Sequence, residues 1–391
     1  MKGRPKQLSW SMRENHSLPQ LVRTGPRTLT IARRLPIINA TSLIMKTTMA
    51  TMIAARIHGP DDIRLDTVTT PEVGPCDVLV RVVNCGICGS DLSYARLGGL
   101  PGAHSPFAFG HEFSGVIEAV GEQVVHLQAG DRVVVNPEAD GNGIGSDGLR
   151  GAFAPLVQVR NVTPDSGAVF TLPEQLDFAT GALVEPLSVG MHAANQGRIT
   201  SGDKVVVLGA GPVGLAAAIG ARHLGAQKVC VIDRSDHRLE VARQLGLEAL
   251  RANDDPSALA RHLQGLHGTV INDPRLGEQP GTDVYIEATG AGPVFRQICS
   301  TARKGARIVV VGVHFVPVEL DMVNLLMREL QITAAMEYPV EFPQVIDMLS
   351  SGEVDVRPLV SHHFPLSQFT NAFAQAQRPD EAVKVLVDCQ D

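Results

Sequence analysis

Cys88, in Cys85-Gly-Ile-Cys88-Gly-Ser-Asp91, and His111, in Gly110-His111-Glu112, offer a thiol and an imidazole of the kind a zinc ion prefers. Gly86, Gly89 and Gly110 flank them and leave the backbone free to turn both side chains inward. Glu112 and Glu185, the latter in Leu183-Val-Glu185-Pro186, place carboxylates in otherwise apolar stretches. Burying such charges without partners is costly, and a cation resolves that cost. Further along, Gly209-Ala-Gly211-Pro212-Val213-Gly214 follows one apolar run and opens an Ala-rich helical stretch. In that setting the first glycine permits a tight turn and the second lets the backbone approach a pyrophosphate. The third lets helix and strand pack closely, with the helix N-terminus facing the phosphates. A metal that polarises a hydroxyl and a dinucleotide that accepts its hydride together make a reaction.

Asp233 ends the next apolar run, where a carboxylate hydrogen-bonds both ribose hydroxyls and repels a 2′-phosphate, favouring NAD over NADP. Arg234 beside it pulls the other way, since an arginine accommodates a phosphate. Cys85 and Cys88 have the spacing of a redox pair, but no thioredoxin-like pattern surrounds them. Cys76, Cys230, Cys299 and Cys389 read as structural.

The elements that must hold these groups fall into two rhythms. From Met52 to about residue 162, short β-branched runs broken by Gly and Pro predict a compact, mostly β domain, with strands over 78–83, 114–120 and 131–135. Met52-Ile-Ala-Ala-Arg56 reads as its first strand, and residues 136–151, rich in Gly, Asn and Asp, as a loop. After Thr200 the pattern becomes strand–helix alternation: strands over 204–208, 229–233, 283–287 and 307–311, helices to about 224 and over 238–245. That alternation predicts a parallel sheet covered on both faces. From Leu330 onward a strand, a helix over 342–350 and mixed segments close the chain.

With 391 residues, 44% hydrophobic and 19% charged, the chain is long enough for two well-buried cores and has an ordinary enzyme-like composition. No apolar run reaches the length of a membrane span. Six scattered cysteines suit a reducing compartment, hence the cytoplasm. Residues 1–51 carry nine Lys and Arg against Glu14 alone, a local charge of +8 that leaves −15 for the rest of a chain at −7. The acidic body argues against a nucleic-acid partner. The basic leader reads either as an organellar transit peptide or as a start assigned upstream of Met49 or Met52.

Gly86-Ile-Cys-Gly-Ser-Asp91, Gly110-His-Glu-Phe-Ser-Gly115, Gly130-Asp-Arg-Val133, Glu185-Pro-Leu-Ser-Val189 and Gly209-Ala-Gly-Pro-Val-Gly214, in this order, resemble the zinc-dependent medium-chain alcohol dehydrogenases, most of all the sorbitol, threonine and butanediol dehydrogenase branch. The resemblance implies an α/β fold: a GroES-like, mostly β catalytic domain over 52–186, a Rossmann doubly wound parallel-sheet domain over 187–329, and a return to the catalytic domain over 330–391. It implies that Cys88 and His111 ligate zinc and that Glu112 or Glu185 completes the set, directly or through water. It also places Ser90 on the proton path and Asp91 behind His111.

Three departures from that family stand out. No cysteine occurs in residues 136–151, where the family's four-cysteine lobe belongs, so one catalytic zinc and no structural zinc are expected. Ser93 stands where polyol enzymes carry a relay histidine, leaving Ser93, water or cofactor ribose to release the proton. Glu337-Tyr338 replaces the sorbitol enzymes' Arg-Tyr and hints at an amine or several hydroxyls in the substrate.

The expected activity is NAD-dependent oxidation of a secondary alcohol, diol or polyol to a ketone. Two other readings are a zinc-free NAD(P)H-dependent enone or quinone reductase of the same superfamily and a non-enzymatic dinucleotide-binding protein. The resemblance further implies a homo-oligomer, dimer or tetramer, with the strand before residues 314–320 as its candidate edge.

Overall fold

The computed structural model describes residues 50–390 apart from 254 and 339, so the basic leader lies almost wholly outside the described residues. Thr51–Gly59 forms the first strand and pairs antiparallel with Asp62–Thr69. The larger β sheet runs Val360–Pro365, Lys384–Asp388, Val78–Gly86, Glu112–Val120, Arg132–Val135 and Val169–Thr171, with Leu156–Val159 also paired to Val78–Gly86. Its two leading strands come from the C-terminus, so the chain leaves this sheet, builds a second domain, and returns. Val80, Val82, Phe113, Ile117, Val385 and Val387 share its core.

The second domain is a six-stranded parallel sheet. Lys204–Leu208 lies between Lys228–Asp233 and Val284–Glu287, and beyond these stand Glu248–Arg251 on one side, Arg307–Val310 and then Gln331–Ala334 on the other. Val205, Val206 and Val207 are all fully buried. Val205 and Val207 face one apolar layer and Val206 the other, which is why this strand reads as an unbroken apolar run. The first strand sits in the middle, so the chain reverses direction across the sheet at its carboxyl end, where ligands bind in such folds. The architecture is the expected one: a GroES-like β domain and a Rossmann domain.

The expected oligomer edge needs correction. Arg307–Val310 is an interior strand, flanked by Val284–Glu287 and Gln331–Ala334. The edge on that side is Gln331–Ala334, the strand expected from Leu330 onward, which is more polar than the run before it. Within 136–151 only a single 3₁₀ turn forms, Ala139–Gly141. Arg150 organises this loop by donating to Asn142 Oδ1 at 2.9 Å and Asp147 Oδ2 at 2.8 Å. Buried Asn142 passes the restraint to the carbonyls of Ala139 and Arg160, both at 2.9 Å. Among the described residues no helix is long and apolar enough to cross a membrane.

Candidate active site

The register of the β domain brings the expected metal-facing segments together. Gly86, at the end of its strand, pairs with Glu112, at the start of another. Cys88 then precedes the helix Gly89–Leu97, whose first turn carries Asp91. Asp91 is completely buried; it accepts the Cys88 amide at 2.9 Å and the Gly110 amide at 3.3 Å, and its Oδ1 stands 3.6 Å from His111 Nδ1. Burial pushes the Asp91 carboxyl up, with His111 opposing. Burial alone would lower His111, but Asp91, Cys88 and Glu185 outweigh it and hold the imidazole well above its usual value.

One ligand atom from each of Cys88, His111 and Glu112 lies within 4.8 Å of the others. Sulfur, nitrogen and oxygen donors at that separation fit a zinc ion. With Nδ1 turned to Asp91, His111 keeps Nε2 for a metal, the usual division of labour in a carboxylate–histidine pair.

The cation that meets Glu112 in this structure is one the sequence reading missed. Lys384, only 1% exposed, donates to Glu112 Oε1 at 2.6 Å and Oε2 at 2.5 Å, and to the Ile87 carbonyl at 3.1 Å. Burial would lower the lysine, yet the Glu112 charge keeps it above its ordinary value. The cation that offsets the burial of Glu112 is thus an ammonium of the chain itself. The signal was a lone charge inside the apolar run Ala382-Val-Lys384-Val-Leu-Val387. Gly86 makes room for the pair, since a Cβ there would lie 2.2 Å from Glu112 Oε2.

Glu185 opens the helix Val184–Gln196 and is 5% exposed. It stands outside the three-group cluster, though its charge acts on His111. Burial pushes its carboxyl up to about 7, and the hydroxyl of buried Tyr338 hydrogen-bonds it. Ser90 is half-buried on the helix Gly89–Leu97, while the Ser93 hydroxyl donates to the Gly89 carbonyl at 3.1 Å. Tyr338 also lines an open cavity of about 470 Å³ with Glu138, Phe170 and exposed Glu337.

The glycine turn has the geometry its pattern requires. Gly209 sits at φ +107°, and a Cβ on Gly214 would fall 1.9 Å from the Gly209 carbonyl oxygen. Pro212 and Val213 begin the helix Pro212–His223, and no side chain caps its N-terminus, which leaves its first amides able to take an anion. Asp233 lies over the turn and accepts the Ala210 amide at 2.6 Å and the Ser235 amide at 2.8 Å. With Arg234, Leu250, Thr289 and Val294 it lines a cavity of about 380 Å³. Arg238, read only as the start of a helix, approaches the turn: its Nη1 is 3.7 Å from where a Gly211 Cβ would stand.

Comparisons with known proteins agree with this fold. Residues 74–164 match the alcohol dehydrogenase GroES-like domain and residues 212–351 the zinc-binding dehydrogenase domain. Sorbitol dehydrogenase of Bos taurus is 35% identical over 353 residues, covering 85% of this chain and 95% of that protein. The crystal structure of 2R,3R-butanediol dehydrogenase from Bacillus subtilis superposes with a TM-score of 0.75 at 29% identity, covering 86% of this chain and 99% of that one. A zinc-binding dehydrogenase from Sinorhizobium meliloti, bound to NADP, superposes at 0.73 with 28% identity, over 87% of this chain and 99% of that one.

Proposed function

We propose that this chain, which belongs to the zinc-dependent medium-chain alcohol dehydrogenase family, is an NAD-dependent oxidoreductase that converts a secondary alcohol, diol or polyol to a ketone. The observation that supports it most is the approach of Cys88, His111 and Glu112 to within 4.8 Å in a chain that also carries the glycine turn. In this reading the catalytic domain spans 52–186 and 330–391 and the dinucleotide domain 187–329.

Zinc supplies a Lewis acid for the substrate oxygen and the nicotinamide a hydride acceptor. Cys88, His111 and Glu112 would hold the one metal ion, and Glu185 would meet it through water. Asp91 fixes the direction of His111 and braces Cys88. Ser90 receives the hydroxyl proton and passes it outward by way of Ser93, water or the cofactor ribose. Gly209, Gly211, Pro212, Val213 and Gly214 seat the pyrophosphate. Asp233 takes the ribose hydroxyls and sets the preference for NAD, with Arg234 beside it. Glu337 and Glu138 on the neighbouring cavity favour a substrate with several hydroxyls or an amine.

The edge strand Gln331–Ala334 leaves one side unpaired, and Phe315, Leu326 and Met336 nearby in sequence are 77%, 76% and 73% exposed. We infer a homo-oligomer that covers them, to be checked by light scattering. Six unpaired cysteines suit the cytoplasm or another reducing compartment.

The test is NAD reduction by purified protein across secondary alcohols, diols and polyols, set beside NADPH oxidation with enones and quinones. Turnover of a diol or polyol with NAD supports the reading. Turnover of only enones or quinones overturns it.

A further inference from the structure

Lys384 does more than neutralise a charge. Its ammonium has three protons, and both Glu112 oxygens and the Ile87 carbonyl take them. The backbone fixes that position. The strand Lys384–Asp388 pairs antiparallel with Val78–Gly86, and the Ile87 amide donates to the Val385 carbonyl at 3.0 Å. Its stem is packed as well: Cδ stands 3.3 Å from where a Gly86 Cβ would lie, and Lys384 lines a small cavity together with Pro186 and Pro212, the residues after Glu185 and at the start of the helix Pro212–His223. At 1% exposure, solvent offers no substitute partner. Any cation drawn to Cys88 and His111 must therefore compete for Glu112 with a fixed ammonium, and must approach a like charge.

Resting on the zinc reading given above, we propose that Lys384 is a positioning residue that competes with the metal for Glu112, so that zinc binds less tightly and exchanges faster than the same Cys, His and Glu groups would allow alone. Gly86 is part of the device, because any larger residue there would displace the Glu112 carboxylate from the ammonium.

The test uses the full chain loaded with zinc, and in parallel with cobalt. Lys384→Met is expected to slow zinc loss to a colorimetric chelator by about tenfold and to shift the visible cobalt absorption as Glu112 is released. Lys384→Arg, which keeps a charged donor, is expected to restore the wild-type rate and spectrum. Should Lys384→Met fail to fold, Lys384→Gln, uncharged but still able to donate to Glu112, is read on the same two scales. Zinc loss at the wild-type rate or faster, with an unchanged cobalt spectrum, overturns the proposal. Wild-type protein that retains no zinc at all would instead overturn the zinc reading beneath it.

Discussion

The Asp91 carboxylate, sealed from solvent, stands 3.6 Å from His111 Nδ1 while its second oxygen accepts the Cys88 amide. One side chain thus sets the direction of two metal-facing groups that lie on separate segments. Asp91→Asn keeps the volume and one acceptor but removes the charge that holds the imidazole. Zinc affinity is expected to fall by about 10–100-fold, with kcat/KM falling alongside. Calorimetric titration of metal-free protein with zinc checks this; unchanged affinity would show that Asp91 merely caps its helix.

The cofactor turn makes a separable prediction. Gly214→Ala would press a methyl 1.9 Å from the Gly209 carbonyl oxygen, so the turn must open. NADH binding, followed by fluorescence, should weaken at least tenfold while zinc content stays at the wild-type level. Asp233→Ala should narrow the preference for NAD over NADP, measured as the ratio of their kcat/KM values, because the carboxylate that repels a 2′-phosphate is gone.

His267 predicts how stability depends on pH. It is buried, its Nδ1 is 2.8 Å from Thr282 Oγ1, and Nε2 has no partner. Burial, then the charges of Lys204 and Lys228, lower its pKa to about 4. The folded chain therefore binds a proton less readily than the unfolded one, whose histidine titrates near about 6.5. Its contribution is whole above that pH and is lost as pH falls toward 4. The thermal midpoint of wild type should drop through this window, and His267→Gln should drop less steeply.

Arg150 holds together the loop over 136–151, in which no cysteine occurs. Its bonds to Asn142 and Asp147 tie down residues 136–151 from within. Arg150→Met should cost about 1.5–3 kcal/mol, the scale of a charged hydrogen bond, seen as a lower urea midpoint. Zinc content should remain one per chain; two per chain in wild type would contradict the account.

Local chemistry was legible and distant pairing was not. Lys204–Leu208 and the turn after it declared themselves because a strand buried on both faces needs an unbroken apolar run and a pyrophosphate needs close backbone. Cys88 and His111 were visible through the glycines beside them. Lys384 was missed because its meaning depends on Glu112, 272 residues earlier, reached only when the C-terminal strand returns to the first sheet. The Tyr338 hydroxyl on Glu185 was hidden for the same reason, since the two residues lie far apart in the sequence. The sheet edge was misplaced because a short polar strand follows the apolar one that had the stronger signal.

The most direct test of the central claim is to follow NAD reduction by a secondary diol while zinc is removed from the purified full-length protein and then restored. The account predicts that activity disappears with the metal, that NADH still binds the metal-free protein, and that one zinc per chain brings turnover back. Undiminished diol oxidation by metal-free protein would contradict it.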